Sequence, residues 1–241
     1  MLPITIYILC YNEEVLLPHT LKHYSTRFPN ATFVIIDNES TDKSVEIAKE
    51  FGCEVYNWST NNMAIIIENL NLKDNIWKTA KTDWILIVDM DEWLEITQEQ
   101  LEMEDSRGIT ILRSRGVQIV AESNSLLLDD IDLHSLKNGF FDNVYDKIVC
   151  FKRSVITEIN YTRGAHKANP QGTVVFQKLP YILKHMNFLG LPWYKEKMKA
   201  RFLRTNFNRI KLRCSGHYSN NDTVILDKFN KVRSATKINL I

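Results

Sequence analysis

Three carboxylates follow an apolar run in the first half of the chain. Residues 84–88 read Trp-Ile-Leu-Ile-Val, and Asp89, Asp91 and Glu92 come at their end. Such a run indicates a strand buried on both faces, and ligands in open α/β sheets collect at the carboxyl ends of strands. Carboxylates two residues apart on an extended chain project to the same side. Asp89 and Asp91 are therefore predicted to share a hard divalent cation, Mn²⁺ or Mg²⁺. Glu92 is predicted to cap the backbone or to orient the metal ligands.

The elements that would position these acids alternate along the chain. Strands are predicted at 4–10, 31–36 and 53–56 and before Asp89, and helices at 17–28, between the second and third strands, and at 63–80. This alternation predicts an α/β fold with a mostly parallel central sheet flanked by helices. Beyond Glu92 the predicted strands are shorter, at 109–113, 117–120, 147–152 and 173–176. They indicate a smaller, antiparallel C-terminal part.

Composition narrows the function classes. The 241 residues are 44% apolar, which is ordinary for a globular protein. Their formal net charge is only +1, so the charge of the whole chain would not attract nucleic acid. No apolar stretch approaches the roughly 20 residues that span a bilayer, and no secretion signal is visible. The four cysteines (Cys10, Cys53, Cys150 and Cys214) form no CxxC pair and indicate free thiols. We therefore expect a cytoplasmic protein that does not bind nucleic acid.

Motifs at three predicted strand ends together resemble a known family. Tyr-Asn-Glu-Glu follows the first strand at 11–14, Asp-Asn-Glu-Ser-Thr-Asp follows the second at 37–42, and Asp-Met-Asp-Glu follows a later one at 89–92. In this order they resemble the family 2 glycosyltransferases with the GT-A fold, in a subgroup with a DxDE motif. The second motif departs from the family's usual Asp-Asp-Gly-Ser-Thr-Asp at Asn38 and Glu39. Weaker similarity continues at 159–161, 164–166 and 183–185.

The resemblance implies an activity and a domain organisation. It implies an inverting, metal-dependent transfer from a nucleotide-sugar, with a UDP-sugar favoured, to a hydroxyl of a glycan, glycolipid or protein acceptor. The chain would be a single GT-A domain over 1–241. Residues 1–95 would form the nucleotide-binding half, and residues 96–241 the acceptor-binding half with the C-terminal helices.

Site residues follow from the same resemblance and from residue chemistry. The nucleotide-sugar-binding set is Tyr11, Asn12, Glu13, Asp37, Asn38, Asp89 and Lys147, and the metal set is Asp89, Asp91 and His185. Lys147 has an ordinary solvated lysine as its alternative. The acidic motif that supplies the family's catalytic base is not found here. His166 is the first candidate for the base, because imidazole accepts a proton at neutral pH, and Asp142 and Asp146 are its rivals.

A basic stretch over 195–213 is the strongest local charge feature. It contains Lys195, Lys197, Lys199, Arg201, Arg204, Arg209, Lys211 and Arg213. A solvated face of an amphipathic helix is one interpretation. Binding of a diphosphate, of an anionic acceptor or of an anionic membrane surface is the other.

Three other functions compete with glycosyl transfer. A phosphatase of the haloacid dehalogenase type is rejected, because Glu92-Trp93 follows the acidic pair where that family has Thr or Val. A sugar nucleotidyltransferase usually opens with a Gly-rich loop, which residues 11–14 lack. A catalytically inactive GT-A module that only binds a nucleotide-sugar or a partner stays open.

Overall fold

The computed structural model describes residues 1–212 and 218–241. Its strands are β1 (Ile4–Cys10), β2 (Thr32–Asp37), β3 (Glu54–Asn57), β4 (Trp84–Asp89), β5 (Glu92–Leu94), β6 (Ile111–Val120), β7 (Gly139–Phe141), β8 (Ile148–Lys152), β9 (Ile156–Glu158), β10 (Gln171–Gly172) and β11 (Tyr181–Phe188). Its α-helices are α1 (Leu17–Arg27), α2 (Ser44–Glu50), α3 (Ile66–Asn75), α4 (Gln98–Ser106), α5 (Leu191–Leu212) and α6 (Asp222–Ala235). None of the helices formed by these residues is long and apolar enough to cross a membrane.

The main sheet joins a parallel part to a mixed part. Its strand order is β3-β2-β1-β4-β8-β6-β11-β5, with β7 paired to β6. The first four strands are all parallel. β8 runs antiparallel to β4 and β6, and β5 runs antiparallel to β11, while β6 and β11 are parallel. The predicted α/β class is confirmed, and the antiparallel part contains one parallel pair that the sequence did not reveal.

Both faces of the parallel part are covered, as the apolar runs predict. On β4, Trp84, Leu86 and Val88 pack into one core cluster, and the alternate residues Ile85 and Ile87 pack into a second one. This alternation follows from the two-residue period of a strand, and it requires apolar side chains at every position. The burial fixes β4 in the sheet and therefore fixes where its acidic end lies.

Several predicted elements differ from those observed. The strands predicted at 109–113 and 117–120 are one strand, β6, because β11 pairs with it at Ser114, Arg115 and Gly116, between the two predicted strands. Residues 173–176 form only a bridge between Phe176 and Ile111. The helix predicted over 63–80 divides into α3 and a 3₁₀ turn at Ile76–Thr79. β11, which carries His185, was not among the predicted strands.

The chain turns between the two aspartates of the Asp-Met-Asp-Glu motif at 89–92. β4 ends at Asp89, Met90 and Asp91 form a turn, and β5 begins at Glu92. Thr20 Oγ1 donates to the Met90 carbonyl oxygen at 2.9 Å, and the Met186 N–H donates to the Asp91 carbonyl oxygen at 2.7 Å. The prediction that Asp89 and Asp91 project to one side of an extended strand is therefore wrong.

Candidate functional site

A cavity of about 960 Å³ lies at the carboxyl ends of β1 and β4, with α5 along its side. Its lining includes ten of the predicted site residues: Tyr11, Asn12, Glu13, Asn38, Asp89, Asp91, Asp142, Lys147, His166 and His185. The carboxyl ends of parallel strands meet at one sheet edge, which explains why distant motifs converge here. Asp37 and Asp146 are not among the lining residues.

One end of the cavity is built from the loops after β1 and β2. Asn12 has a positive φ of 51°, and its Oδ1 accepts a hydrogen bond from the Thr41 N–H at 2.7 Å. Asn38 donates through Nδ2 to the Trp58 carbonyl oxygen at 2.9 Å, and its Oδ1 accepts from Arg204 Nη2. These bonds hold the two loops together, as side-chain amides commonly do at turns.

Tyr11 and Asp37 occupy different positions at this end. The Arg204 guanidinium carbon lies 3.5 Å from the centroid of the Tyr11 ring, which is cation–π packing. The Asp37 carboxylate instead accepts from the Ser40 N–H at 3.3 Å and faces its own turn. Tyr11 thus lines the cavity and Asp37 does not, and contact of either residue with a ligand stays a prediction.

Asp89 belongs to a network of charges whose other members are buried. Lys73 Nζ lies 2.7 Å from Asp89 Oδ1, Lys147 Nζ lies 3.5 Å from Asp89 Oδ2, and Lys147 also pairs with Glu92. Burial acts to raise the pKa of Asp89, but the two lysines outweigh it and hold that pKa below its usual range. The interpretation of Lys147 as a solvated lysine is wrong, because its side chain is only 3% exposed.

Asp91 is contacted from a different direction. Its Oδ2 lies 2.8 Å from Lys197 Nζ, 3.2 Å from Arg201 Nη2 and 3.4 Å from His185 Nε2. Burial acts to raise the pKa of Asp91, and Lys197, His185 and Arg201 together hold it well below its usual range. The carboxylate is ionised and lies at the centre of three nitrogen donors.

His185 has the orientation of a metal ligand. The Asp142 carboxylate accepts from Gln118 Nε2 at 3.0 Å, so Gln118 turns its Oε1 toward His185 Nδ1, 2.7 Å away. Nδ1 then carries a proton, and Nε2 faces Asp91, where it can bind a cation once it holds no proton. An imidazole and a carboxylate placed in this way can bind one divalent cation.

The residues fit a Mn²⁺ or Mg²⁺ ion that takes most of its ligands from elsewhere. Among residues 1–212 and 218–241, no group of three or more His, Cys, Asp and Glu side chains is arranged to hold a metal ion. Asp91 and His185 would supply two ligands, and both ions readily keep waters and substrate phosphate oxygens as the others. Asp89, whose two oxygens contact lysines, is the less available of the predicted metal carboxylates.

The three candidates for a catalytic base differ in what they contact. His166 lies in the cavity, half-buried, and its Nδ1 is buried without a hydrogen-bond partner. Asp142 accepts from Gln118 and from the Val144 N–H, and Asp146 accepts from the Gly116 N–H at 2.8 Å. Both carboxylates therefore hold the loop over 142–146 in place, and Asp146 lies outside the cavity lining.

The basic helix faces the cavity with part of its charge. Lys197, Arg201 and Arg204 line the cavity, while Lys195 and Lys199 pair with Asp222 at the start of α6. The predicted stretch ends at Arg213, which lies outside the described residues. The interpretation of a wholly solvated face is wrong, and the spacing of one helical turn between positions 197, 201 and 204 was the signal for a shared face.

Comparison with known proteins identifies the first part of the chain. Residues 5–103 match the model of glycosyl transferase family 2. The chain is 25% identical over 89 residues to protein RfbJ of Shigella flexneri, which covers 37% of this chain and 64% of that protein. It is 37% identical over 59 residues to 4,4'-diaponeurosporenoate glycosyltransferase of Staphylococcus haemolyticus, covering 24% of this chain and 16% of that enzyme. The aligned parts span less than two thirds of either relative.

Two solved structures align with the chain at low sequence identity. TarS of S. aureus aligns with a TM-score of 0.46 and 13% identity over 96% of this chain and 43% of that one. The mannosyltransferase PcManGT of Pyrobaculum calidifontis, solved with GDP-Man and Mn²⁺, aligns with a TM-score of 0.46 and 10% identity, over 94% of this chain and 68% of that one. The match to glycosyl transferase family 2 thus covers β1 to β5, with the acidic motif at 89–92, in an α/β chain whose mixed sheet is flanked by helices.

Proposed function

We propose that the protein moves a sugar, with inversion, from a nucleotide-sugar to a hydroxyl group of a glycan, glycolipid or protein acceptor. A UDP-sugar is the favoured donor. The observation that carries the proposal is one cavity that holds Tyr11 and Asn38 at one end and Asp91, His185 and His166 further along. Its volume of about 960 Å³ lies in the range of sites that enclose a cofactor-sized ligand.

The donor would lie along this cavity. Its nucleoside would take the end with Tyr11 and Asn38, and its diphosphate would lie toward Asp91 and His185. A bound Mn²⁺ or Mg²⁺ would neutralise charge on the diphosphate, which is the leaving group. The ionised state of Asp91 and the orientation of the His185 ring support this assignment of the metal ligands.

His166 is the base that we favour for the acceptor hydroxyl. The acceptor oxygen would bond to the anomeric carbon as the bond from that carbon to the diphosphate oxygen breaks, and the proton would pass to the His166 imidazole. Burial lowers the pKa of His166, and the charge of Lys147 lowers it further. The ring is therefore neutral at pH 7 and can accept a proton.

A thermal-shift panel tests the donor class directly. UDP, GDP, TDP and CMP would each be added with and without Mn²⁺, with Asp91→Asn as the matched control. A cognate nucleotide at 100 times its Kd should add about 2.7 kcal/mol to the free energy of unfolding. A metal-dependent shift with one nucleotide, followed by turnover of its sugar conjugate, supports the proposal. Binding without turnover supports the inactive module instead, and the absence of any shift contradicts both.

The class of acceptor and the contact with a membrane surface remain predictions. Contact of the basic stretch 195–213 with a membrane surface would have to use the side of α5 that faces away from the cavity, because Lys197, Arg201 and Arg204 line the cavity. Sedimentation with anionic vesicles would test that contact, with the Lys199→Met variant beside the native protein.

A further inference from the structure

Three basic residues of α5 form one continuous row inside the cavity. Lys197 and Arg201 both contact Asp91 Oδ2, and Arg204 reaches Tyr11 and Asn38 at the other end. We propose that Lys197 and Arg201 form the diphosphate-binding site of the cavity, and that Asp91 holds them as an exchangeable counter-ion until the donor and its metal ion bind. This inference rests on the proposed function and names the residues that would act on the diphosphate.

The position of the row matches the order of groups in a nucleotide-sugar. The diphosphate joins the nucleoside to the sugar, so it must lie between the Tyr11 end of the cavity and Asp91. The helical rise from Lys197 to Arg204 is about 10 Å, which places Arg201 between the two ends. The Lys197 ammonium lies 4.4 Å from the centroid of the Trp193 ring, and this cation–π contact helps to fix the position of the lysine side chain.

The local charge balance also favours an anionic ligand. Two full positive charges, on Lys197 and Arg201, contact a single oxygen of Asp91. Among the described residues, Glu13 is the other acid whose charge acts on both bases, and neither base forms an ion pair with it. A diphosphate would supply the missing negative charge through hydrogen bonds of the strong, charge-assisted kind.

Four other lysines, two in the cavity wall and two on α5, form ion pairs. Lys73 and Lys147 contact Asp89 and Glu92 and are almost fully buried. Lys195 and Lys199 contact the exposed Asp222, at 2.8 and 3.0 Å, and do not line the cavity. Lys199 therefore offers a control on the same helix, with the same charge and a different direction.

Exchange at Asp91 predicts effects of opposite sign on two ligands. In Lys197→Met and in Arg201→Met, we expect the affinity for UDP without metal to fall at least tenfold, because a phosphate contact is lost. We expect the affinity for Mn²⁺ without nucleotide to rise at least threefold, because a competing cation has left Asp91. UDP and GDP binding would be measured by calorimetry, and free Mn²⁺ by electron paramagnetic resonance.

Two further variants keep the test decisive. Lys199→Met should leave both affinities within twofold of the native values, and Arg201→Lys, which keeps the charge, should retain most of the UDP affinity even if Arg201→Met folds poorly. Unchanged UDP affinity in Lys197→Met and Arg201→Met, or a Mn²⁺ affinity that does not rise, overturns the inference while the proposed function stands. A native protein that binds none of UDP, GDP, TDP and CMP overturns the proposed function itself.

Discussion

Gln118 and His185 lie side by side in the parallel pair of β6 and β11, and Gln118 Oε1 accepts a hydrogen bond from His185 Nδ1 at 2.7 Å. Tyr145 stacks on the other side of the imidazole, with 4.1 Å between ring centroids. Asp142 orients Gln118 in turn. The ring of a proposed metal ligand is therefore held from two directions, and its Nε2 can point only toward Asp91.

Gln118→Leu should weaken Mn²⁺ binding by about 10- to 100-fold, because the hydrogen bond that selects the His185 tautomer is lost. The measurement is a Mn²⁺ titration by electron paramagnetic resonance without nucleotide. Asp142→Asn is the matched control, since an amide oxygen can still accept from Gln118 and the loss should be small. Native Mn²⁺ affinity in Gln118→Leu would show that the contact has no role in orienting the ligand.

Asp91→Asn should remove the effect of Mn²⁺ on UDP affinity, because the amide is a poor ligand and carries no charge. Calorimetric titration with UDP would be run with and without Mn²⁺, and circular dichroism would check the fold. The metal-free UDP affinity should stay the same or increase, since Lys197 and Arg201 lose their counter-ion. Mn²⁺ enhancement as large as in the native protein would exclude Asp91 as a ligand.

His166→Ala should lower kcat by about 100-fold or more, with UDP affinity within threefold of native, because only proton transfer is affected. In the native protein, the acid limb of the kcat profile should have its midpoint below pH 6.5, since burial lowers the pKa of His166 from that value. The limb should vanish in the variant. Turnover that is equal in the two proteins would exclude His166 as the base.

Lys147→Met should lower the free energy of unfolding by about 3–5 kcal/mol, because it leaves Glu92 buried without its cation. Urea unfolding would measure the loss. The double variant Lys147→Met/Glu92→Gln should recover part of it, since both buried charges are then gone. If the double variant is no more stable than the single one, packing rather than charge explains the loss.

His23 should make the fold sensitive to mild acid. It stacks on Trp93, with 4.8 Å between ring centroids, and burial lowers its pKa from 6.5 to about 3. The unfolded chain binds this proton below pH 6.5 and the folded protein does not, so the free energy of unfolding falls as the pH drops, by about 2 kcal/mol at pH 5. Urea unfolding at pH 7, 6 and 5 would measure this slope.

His23→Gln serves as the comparison for that slope. The variant should be less stable at pH 7, because it loses the hydrogen bond to the Leu94 carbonyl oxygen, but its stability should decline less between pH 7 and pH 5. An equal decline in both proteins would assign the acid sensitivity to other groups, such as His19 and His134, whose pKa values burial also lowers.

The ends of β1, β2 and β4 were predictable because apolar runs stop abruptly at polar motifs. The positions of Tyr11, Asn38 and Asp91 in one cavity followed from that topology. The turn at Met90 was not predictable, because it depends on the pairing of β5 with β11, ninety residues later in the chain.

Side chains that complete the site from other elements carried weaker signals. Gln118 meets His185 only through the parallel register of β6 and β11, which no local pattern encodes. Lys73 lies on a helix that is otherwise half exposed, and it became recognisable only through its contact with Asp89. The basic face of α5 was misread because charges on an amphipathic helix usually face water.

The five tryptophans are divided between the core and the cavity. Trp77, Trp84 and Trp93 are at most 2% exposed and lie in the core, whereas Trp58 and Trp193 line the two ends of the cavity. Ligand binding should therefore change the fluorescence of Trp58 and Trp193, whereas the emission of the three core tryptophans should stay constant. Trp58 lies at the end of the cavity proposed for the nucleoside, and Trp193 packs against Lys197. The intrinsic fluorescence of the protein would then report ligand binding without a label.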